Sequence, residues 1–78
     1  MPRVARIGAY RFFFYSNEGD EPPHIHVQRE RFLAKFWLES VGIASSSGFA
    51  AHELRRIEAI IGEHQPTFLE AWHGFFRR

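Results

Sequence analysis

The chain has no cysteine. Disulfides, thiolate zinc sites and a cysteine nucleophile are thereby excluded, and any metal must be held by His, Asp or Glu. No apolar run approaches the ~20 residues that a membrane-spanning helix needs. The first residues lack the apolar core of a signal peptide. Net charge is nearly absent, at +1 over 78 residues. That balance gives no global pull toward nucleic acid or a membrane. Internal repeats and a domain boundary are also missing. These absences point to one small cytoplasmic domain spanning 1–78. A domain of this size buries only about 60–65% of the surface its unfolded chain exposes, so its stability margin is thin.

Aromatic residues stand in for the missing staples. Nine Phe, two Trp and two Tyr make up 17% of the chain. Each buries a large area, which a small core needs. An aromatic surplus also suits a partner surface, so a homodimer is one expectation. Charges fall in groups: Arg3, Arg6 and Arg11 early, Arg77 and Arg78 at the end, and Glu18, Asp20 and Glu21 between. A solvated face is the ordinary reading of each group.

Periodicity places strands at about 7–15, 24–29 and 32–38, with a short fourth at 41–44. Residues 1–6 read as loose or as the start of an edge strand. In the first strand Tyr10, Phe12 and Phe14 share one face, and Arg11, Phe13 and Tyr15 the other. Residues 16–20 form a loop by composition, and Pro22 and Pro23 continue it in extended geometry. Ser45-Ser46-Ser47-Gly48 reads as a break. A helix over 51–62 follows, with Leu54, Ile57, Ile60 and Ile61 at helical spacing. Glu53 stands where a capping-box acid belongs, but Ala50 cannot cap with its side chain. Residues 62–66 interrupt the pattern, leaving either two helices or one kinked helix. Pro66 fits the first turn of a helix over 66–76. Its stripe is Phe68, Leu69, Trp72, Phe75 and Phe76, with Arg77 and Arg78 favourably placed at its end. The fold class is α+β: a small antiparallel meander of three to four strands, then two helices packed on one face.

Two histidines at spacing two give this fold a focus. In Glu21-Pro22-Pro23-His24-Ile25-His26-Val27, an extended chain sets His24 and His26 on one face and Ile25 and Val27 on the other. Ile25 and Val27 should share the core face with Ala34 and Phe36. That register pairs Val27 with Ala34, Ile25 with Phe36, His26 with Lys35 and His24 with Trp37. A slip of one residue would carry Lys35 into the core. Glu30-Arg31 is a poor primed-turn pair, so a four-residue loop around a type I turn is expected.

The face opposite the helices then carries His24, His26, Gln28, Leu33, Lys35 and Trp37. Three roles stay open for it. One is acid/base chemistry on RNA or nucleotides. His24, His26 and Lys35 would be the catalytic groups, and Trp37, Gln28 and Glu21 the substrate-binding groups. Another is a divalent metal, held by His24 and His26 with Asp20 or Glu21 as the third ligand. No other cofactor is expected. The last is structural, with His24 bonding the loop and His26 sitting in a cross-strand pair. His52, His64 and His73 read as solvent-facing or capping residues. His24 to Gln28 also resembles the motif of the histidine-triad nucleotide enzymes, but the match stops at those residues.

The same motif, followed by Ala34-Lys35-Phe36-Trp37-Leu38, Gly48-Phe49 before Glu53-Leu54, and Trp72, resembles the small bacterial domain-of-unknown-function family forty-one sixty. The resemblance runs from about Ile7 to Phe76. It implies motif positions at Glu21, His24, His26, Lys35 and Trp37. It implies no settled activity. It also implies a small protein partner encoded nearby, in a layout like a toxin–antitoxin pair. Whether this chain would be the acting or the neutralising half stays open, as does a non-catalytic interaction role.

Overall fold

A computed structural model describes residues 3–76. Five strands precede two helices: β1 Arg3–Ile7, β2 Tyr10–Phe13, β3 His24–Arg29, β4 Phe32–Trp37, β5 Gly42–Ser47, α1 Ala51–Glu63 and α2 Gln65–Phe75. The strands form one sheet in the order β1-β2-β3-β4-β5, each antiparallel to its neighbours. The α+β class and the meander therefore hold, with five strands in place of three or four.

The additional strand comes from a turn inside the stretch expected to be continuous. Ile7 pairs with Tyr10, so Gly8-Ala9 is a two-residue turn, and Gly8 sits at φ 60. Glycine takes that conformation without steric cost. The β-forming residues around it hide the break, so Arg3–Ile7 becomes an edge strand. The serine run also departs from expectation. Ser45, Ser46 and Ser47 pair with Lys35, Ala34 and Leu33 and belong to β5. Serine has little strand preference of its own, and the backbone of β4 provides the template. The placement of Arg77 and Arg78 lies outside the described residues.

The β3–β4 register is the one the apolar pattern demands. His24 faces Trp37, Ile25 faces Phe36, His26 faces Lys35 and Val27 faces Ala34. The turn is tighter than expected. Arg29 pairs with Phe32, leaving only Glu30-Arg31, and Glu30 takes φ 56. Gln28 Nε2 donates to the Glu30 carbonyl at 2.8 Å and braces it.

Both helices pack on the face carrying Ile25 and Val27. Phe12, Ile25, Val27 and Phe36 of the sheet meet Ile57 and Ile61 of α1 and Phe68 and Trp72 of α2. The rings of Phe12 and Phe68 lie 5.3 Å apart, and Phe14 meets Trp72 edge-on at 5.2 Å. Most of the aromatic surplus is thus spent inside the protein. Each such ring contributes about 1.5–3 kcal/mol of burial.

Glu53 docks α1 on the sheet. Arg29 donates to both its carboxylate oxygens, at 2.6 and 2.9 Å, and the Tyr10 hydroxyl donates at 2.9 Å. Ala50 is the N-cap and makes no side-chain bond, so the acid at this position serves the sheet and not the helix end. The bonds from Arg29 hold the Glu53 carboxyl below its ordinary pKa, against the effect of burial and with help from Tyr10. Burial, then the Glu53 bond, pushes the Tyr10 phenol up.

The helices are separate. His64 alone divides them, donating from Nδ1 to the Ile60 carbonyl at 2.9 Å. Gln65 Nε2 then donates to the carbonyls of Leu38 and Glu39, at 2.7 and 3.1 Å, and ties the start of α2 to the end of β4. No helix of the described residues is long and apolar enough to cross a membrane.

Candidate functional site

Both helices pack on the first face of the sheet, and α2 reaches the second at His24, through the Trp72 ring. Strand alternation places His24, His26 and Gln28 of β3 there, beside Leu33, Lys35 and Trp37 of β4. Arg11 and Phe13 of β2 and Arg6 of β1 extend it on one side, and Ser45 and Ser47 of β5 on the other.

The segment between β2 and β3 folds back over one end of this face. Two tight turns shape it, with the Glu18 amide donating to the Tyr15 carbonyl at 3.3 Å and the Glu21 amide to the Glu18 carbonyl at 3.2 Å. They deliver the Glu18 carboxylate to both histidines. One oxygen, Oε1, meets His24 Nε2 at 2.8 Å and His26 Nε2 at 2.7 Å. His24 Nδ1 donates to the Pro22 carbonyl at 3.0 Å. His24 is fully buried, with the Trp72 ring at 4.8 Å and the Trp37 ring at 5.9 Å. His26 is stacked on Phe13 at 5.5 Å and meets Tyr15 edge-on at 4.5 Å.

Burial and charge set the ionisation of this group. Burial favours a neutral Glu18, but the bonds to His24 and His26 outweigh it and bring the carboxyl below its ordinary pKa. For His26 burial dominates. It lowers the pKa despite the Glu18 contact, and the nearby His24 and Lys35 add to the lowering.

Lys35 stands beside His26 but bonds elsewhere. Its Nζ donates to Glu21 Oε1 at 2.6 Å and lies 5.0 Å from the centre of the Trp37 ring. The Glu21 carboxylate, expected near the histidines as a ligand, is thereby turned to Lys35. It comes no closer than 3.8 Å to His24 Nδ1. Glu18 takes the place expected of Glu21. No feature of the sequence singles it out, because its approach depends on how the ten-residue loop 14–23 turns back.

The six expected site residues separate by access. His26 and Lys35 line a groove of about 270 Å³ with Tyr15, Leu33 and the serines of β5. Trp37 lines another, of about 200 Å³, with Pro22 and Pro23. Gln28 accepts a bond from Arg11 at 2.8 Å. His24 reaches no solvent, so it does not itself meet a substrate laid on this face. A further groove, of about 450 Å³, is basic and lies outside the expected site. Arg6, Arg11 and Arg29 line it with Ala9 and Glu30. It exists because Arg6 lies directly opposite Arg11 in the β1–β2 ladder.

No curated protein and no solved structure matches this chain. A family model does match, over residues 9–73, and that span holds the histidine motif, the Glu18 loop and most of both helices. The chain belongs to the family described as a domain of unknown function (DUF4160).

Proposed function

We propose that the second face of the sheet binds single-stranded RNA, and that the chain is the RNA-binding component of a toxin–antitoxin-like pair. The pairing of Arg6 with Arg11 carries the first part. Like charges directly opposite one another across two strands destabilise a sheet. No ion pair relieves Arg3, Arg6 or Arg11 among the described residues. A polyanion laid over that face would turn the cost into attraction.

The rest of the face suits the same ligand. Single strands are held by cationic tracks and by aromatic rings on which bases stack. Tyr15 is 37% exposed beside Lys35 and the serine hydroxyls of β5. Those hydroxyls are suitable partners for ribose 2′-OH groups. The second part rests on the family resemblance alone, which implies a small protein encoded nearby.

Fluorescence anisotropy with a labelled single-stranded RNA of about twelve nucleotides tests the reading, a length within the range one small module covers. The wild type should bind, and the Arg6→Ala/Arg11→Ala double variant should lose about tenfold or more in affinity. Arg55→Ala, on the exposed side of α1, should change little. Absence of wild-type binding, or an equal loss with Arg55→Ala, refutes the assignment. Equal affinity for a DNA duplex refutes the choice of ligand. Growth with each gene alone and with both together tests the pair.

A further inference from the structure

Glu18, His24 and His26 form the one group of three histidine or acidic side chains with metal-ligand spacing among the described residues. We propose that they hold a divalent transition ion of the Zn²⁺ type. The site goes beyond the RNA reading and does not rest on it.

The hydrogen-bond inventory of His24 is the main observation. The Pro22 carbonyl can only accept, so Nδ1 carries the hydrogen of that contact. A neutral imidazole has a single N–H. Nε2 therefore presents a lone pair, and it points at a carboxylate oxygen 2.8 Å away that also presents lone pairs. A positive centre belongs between them. His26 Nε2 converges on the same oxygen from 2.7 Å. A proton on His24 Nε2 supplies that positive centre, with His26 donating from its own Nε2–H; a metal ion supplies it to all three atoms together.

The geometry is close to what an ion requires. The three ligand atoms lie within 4.8 Å of one another. Bonds of 2.0–2.2 Å in a tetrahedral site put neighbouring ligands roughly 3.3 Å apart. The carboxylate must therefore withdraw by about half an ångström. Glu18 sits in a loop and keeps partial exposure, so it can move. At the wide end of that spread the two imidazole nitrogens must also close on each other by roughly 1.5 Å, because two bonds of about 2.1 Å span at most about 4.2 Å. His24 is fixed through Nδ1 by the Pro22 carbonyl, the backbone contact that orients metal-binding histidines in general. His26 keeps partial exposure and is the ring that turns, against Phe13 and Tyr15.

The donor set selects the ion. Two imidazole nitrogens and one carboxylate oxygen suit Zn²⁺ and its first-row neighbours, whereas Mg²⁺ and Ca²⁺ require mostly oxygen. Three protein ligands leave a fourth position for water or a ligand group. Glu21 is not part of the set, because Lys35 holds its carboxylate at 2.6 Å.

The test uses the full chain without a histidine tag. Metal content after Zn²⁺ loading and desalting gives stoichiometry, a competing chromophoric chelator gives affinity, and Co²⁺ substitution gives a visible spectrum. One Zn²⁺ per chain is expected, with the intense Co²⁺ bands of a low-coordinate site and a rise in Tm on adding Zn²⁺ but not Mg²⁺. Glu18→Gln and His26→Gln keep size and hydrogen bonding. Each should weaken Zn²⁺ by about a thousandfold while circular dichroism shows a folded chain, exceeding the roughly 10–100-fold that loss of a supporting contact costs. His73→Ala should leave affinity unchanged. A folded wild type that retains no Zn²⁺ and shows no Zn²⁺-dependent Tm overturns the site. So does an affinity loss in His73→Ala equal to that in Glu18→Gln.

Discussion

Gly48 connects β5 to the start of α1, and its replacement by alanine should be among the most damaging small changes in the protein. Its φ is +101, a conformation that costs a residue with a Cβ about 1–2 kcal/mol. The added methyl would also run into the Phe32 ring, with Cε1 at 2.9 Å and Cγ at 3.0 Å. That ring has little room to yield. Phe49 packs on it at 5.7 Å and the Arg29 guanidinium lies 5.0 Å from its centre. Overpacking of this kind costs a further ~1–3 kcal/mol. The combined loss is about 2–5 kcal/mol, against roughly 4–12 kcal/mol of total stability for a domain this size. With an unfolding entropy of about 2.1 cal/mol/K per residue, Tm should fall by roughly 12–30 °C. Thermal denaturation followed by circular dichroism measures it. Gly62→Ala is the matched control, because no atom lies within 4 Å of its added methyl and it sits within α1. There the same substitution should stabilise by about 0.5–1 kcal/mol. A Gly48→Ala protein that melts within about 3 °C of wild type would refute the reasoning, since the summed costs require a larger shift.

Two other outcomes follow from the charges. The folded-state pKa of Glu53 lies below its ordinary value through Arg29, Tyr10 and Arg56, so its contribution is complete above pH 4.5 and is lost as pH falls below it. Urea denaturation of Glu53→Gln should show lower stability at pH 7 and a flatter decline on acidification; an unchanged acid limb would count against the clamp. Tyr10 is displaced upward, so its contribution should be lost as pH rises above 10, and Tyr10→Phe should remove that alkaline decline. For RNA, three phosphate contacts by Arg3, Arg6 and Arg11 give a slope of about −2 in log affinity against log salt, at about −0.7 per contact on a single strand. Affinity should therefore drop roughly twentyfold between 50 and 200 mM salt, and Arg11→Gln should lower the slope by about 0.7. A slope unchanged in that variant would remove Arg11 from the interface.

Much of the sheet was legible because alternation is a strong constraint. Ile25 and Val27 had to be buried, Lys35 had to stay out, and together these demands fix the whole β3–β4 register. The turns were less legible. Gly8 is a single residue in a run of β-formers, and its effect comes from backbone conformation and not from hydropathy. Glu30 takes a left-handed conformation that its chemistry disfavours, because the register on either side allows only two residues between the strands. Tertiary pairing prevailed over local preference there, as it did for the serines of β5. His24 shows the limit of alternation. The pattern put it on the face away from Ile25 and Val27, but Trp72 of α2 and the Glu18 loop close over it. Which face a residue occupies is a local property; whether that face stays open depends on distant segments.

Net charge illustrates the same limit and bears directly on function. A balance of +1 over the chain gives no reason to expect a polyanion. The folded protein distributes that balance unevenly. Glu18 is committed to the histidines, Glu21 to Lys35 and Glu53 to Arg29, each at 2.8 Å or closer. These contacts neutralise the histidine end of the sheet and the docking of α1. They leave Arg3, Arg6 and Arg11 grouped across β1 and β2 without an acidic partner among the described residues. Composition averages over pairs that the fold separates, so a near-neutral chain can present a cationic face. Its ligand would lie over the arginines at one end and reach the Glu18–His24–His26 group at the other. An RNA long enough to span both should therefore protect His26 as well as Arg11 from chemical modification, whereas a fragment bound only at the arginines should leave His26 reactive. Protection of neither residue would place the interface elsewhere.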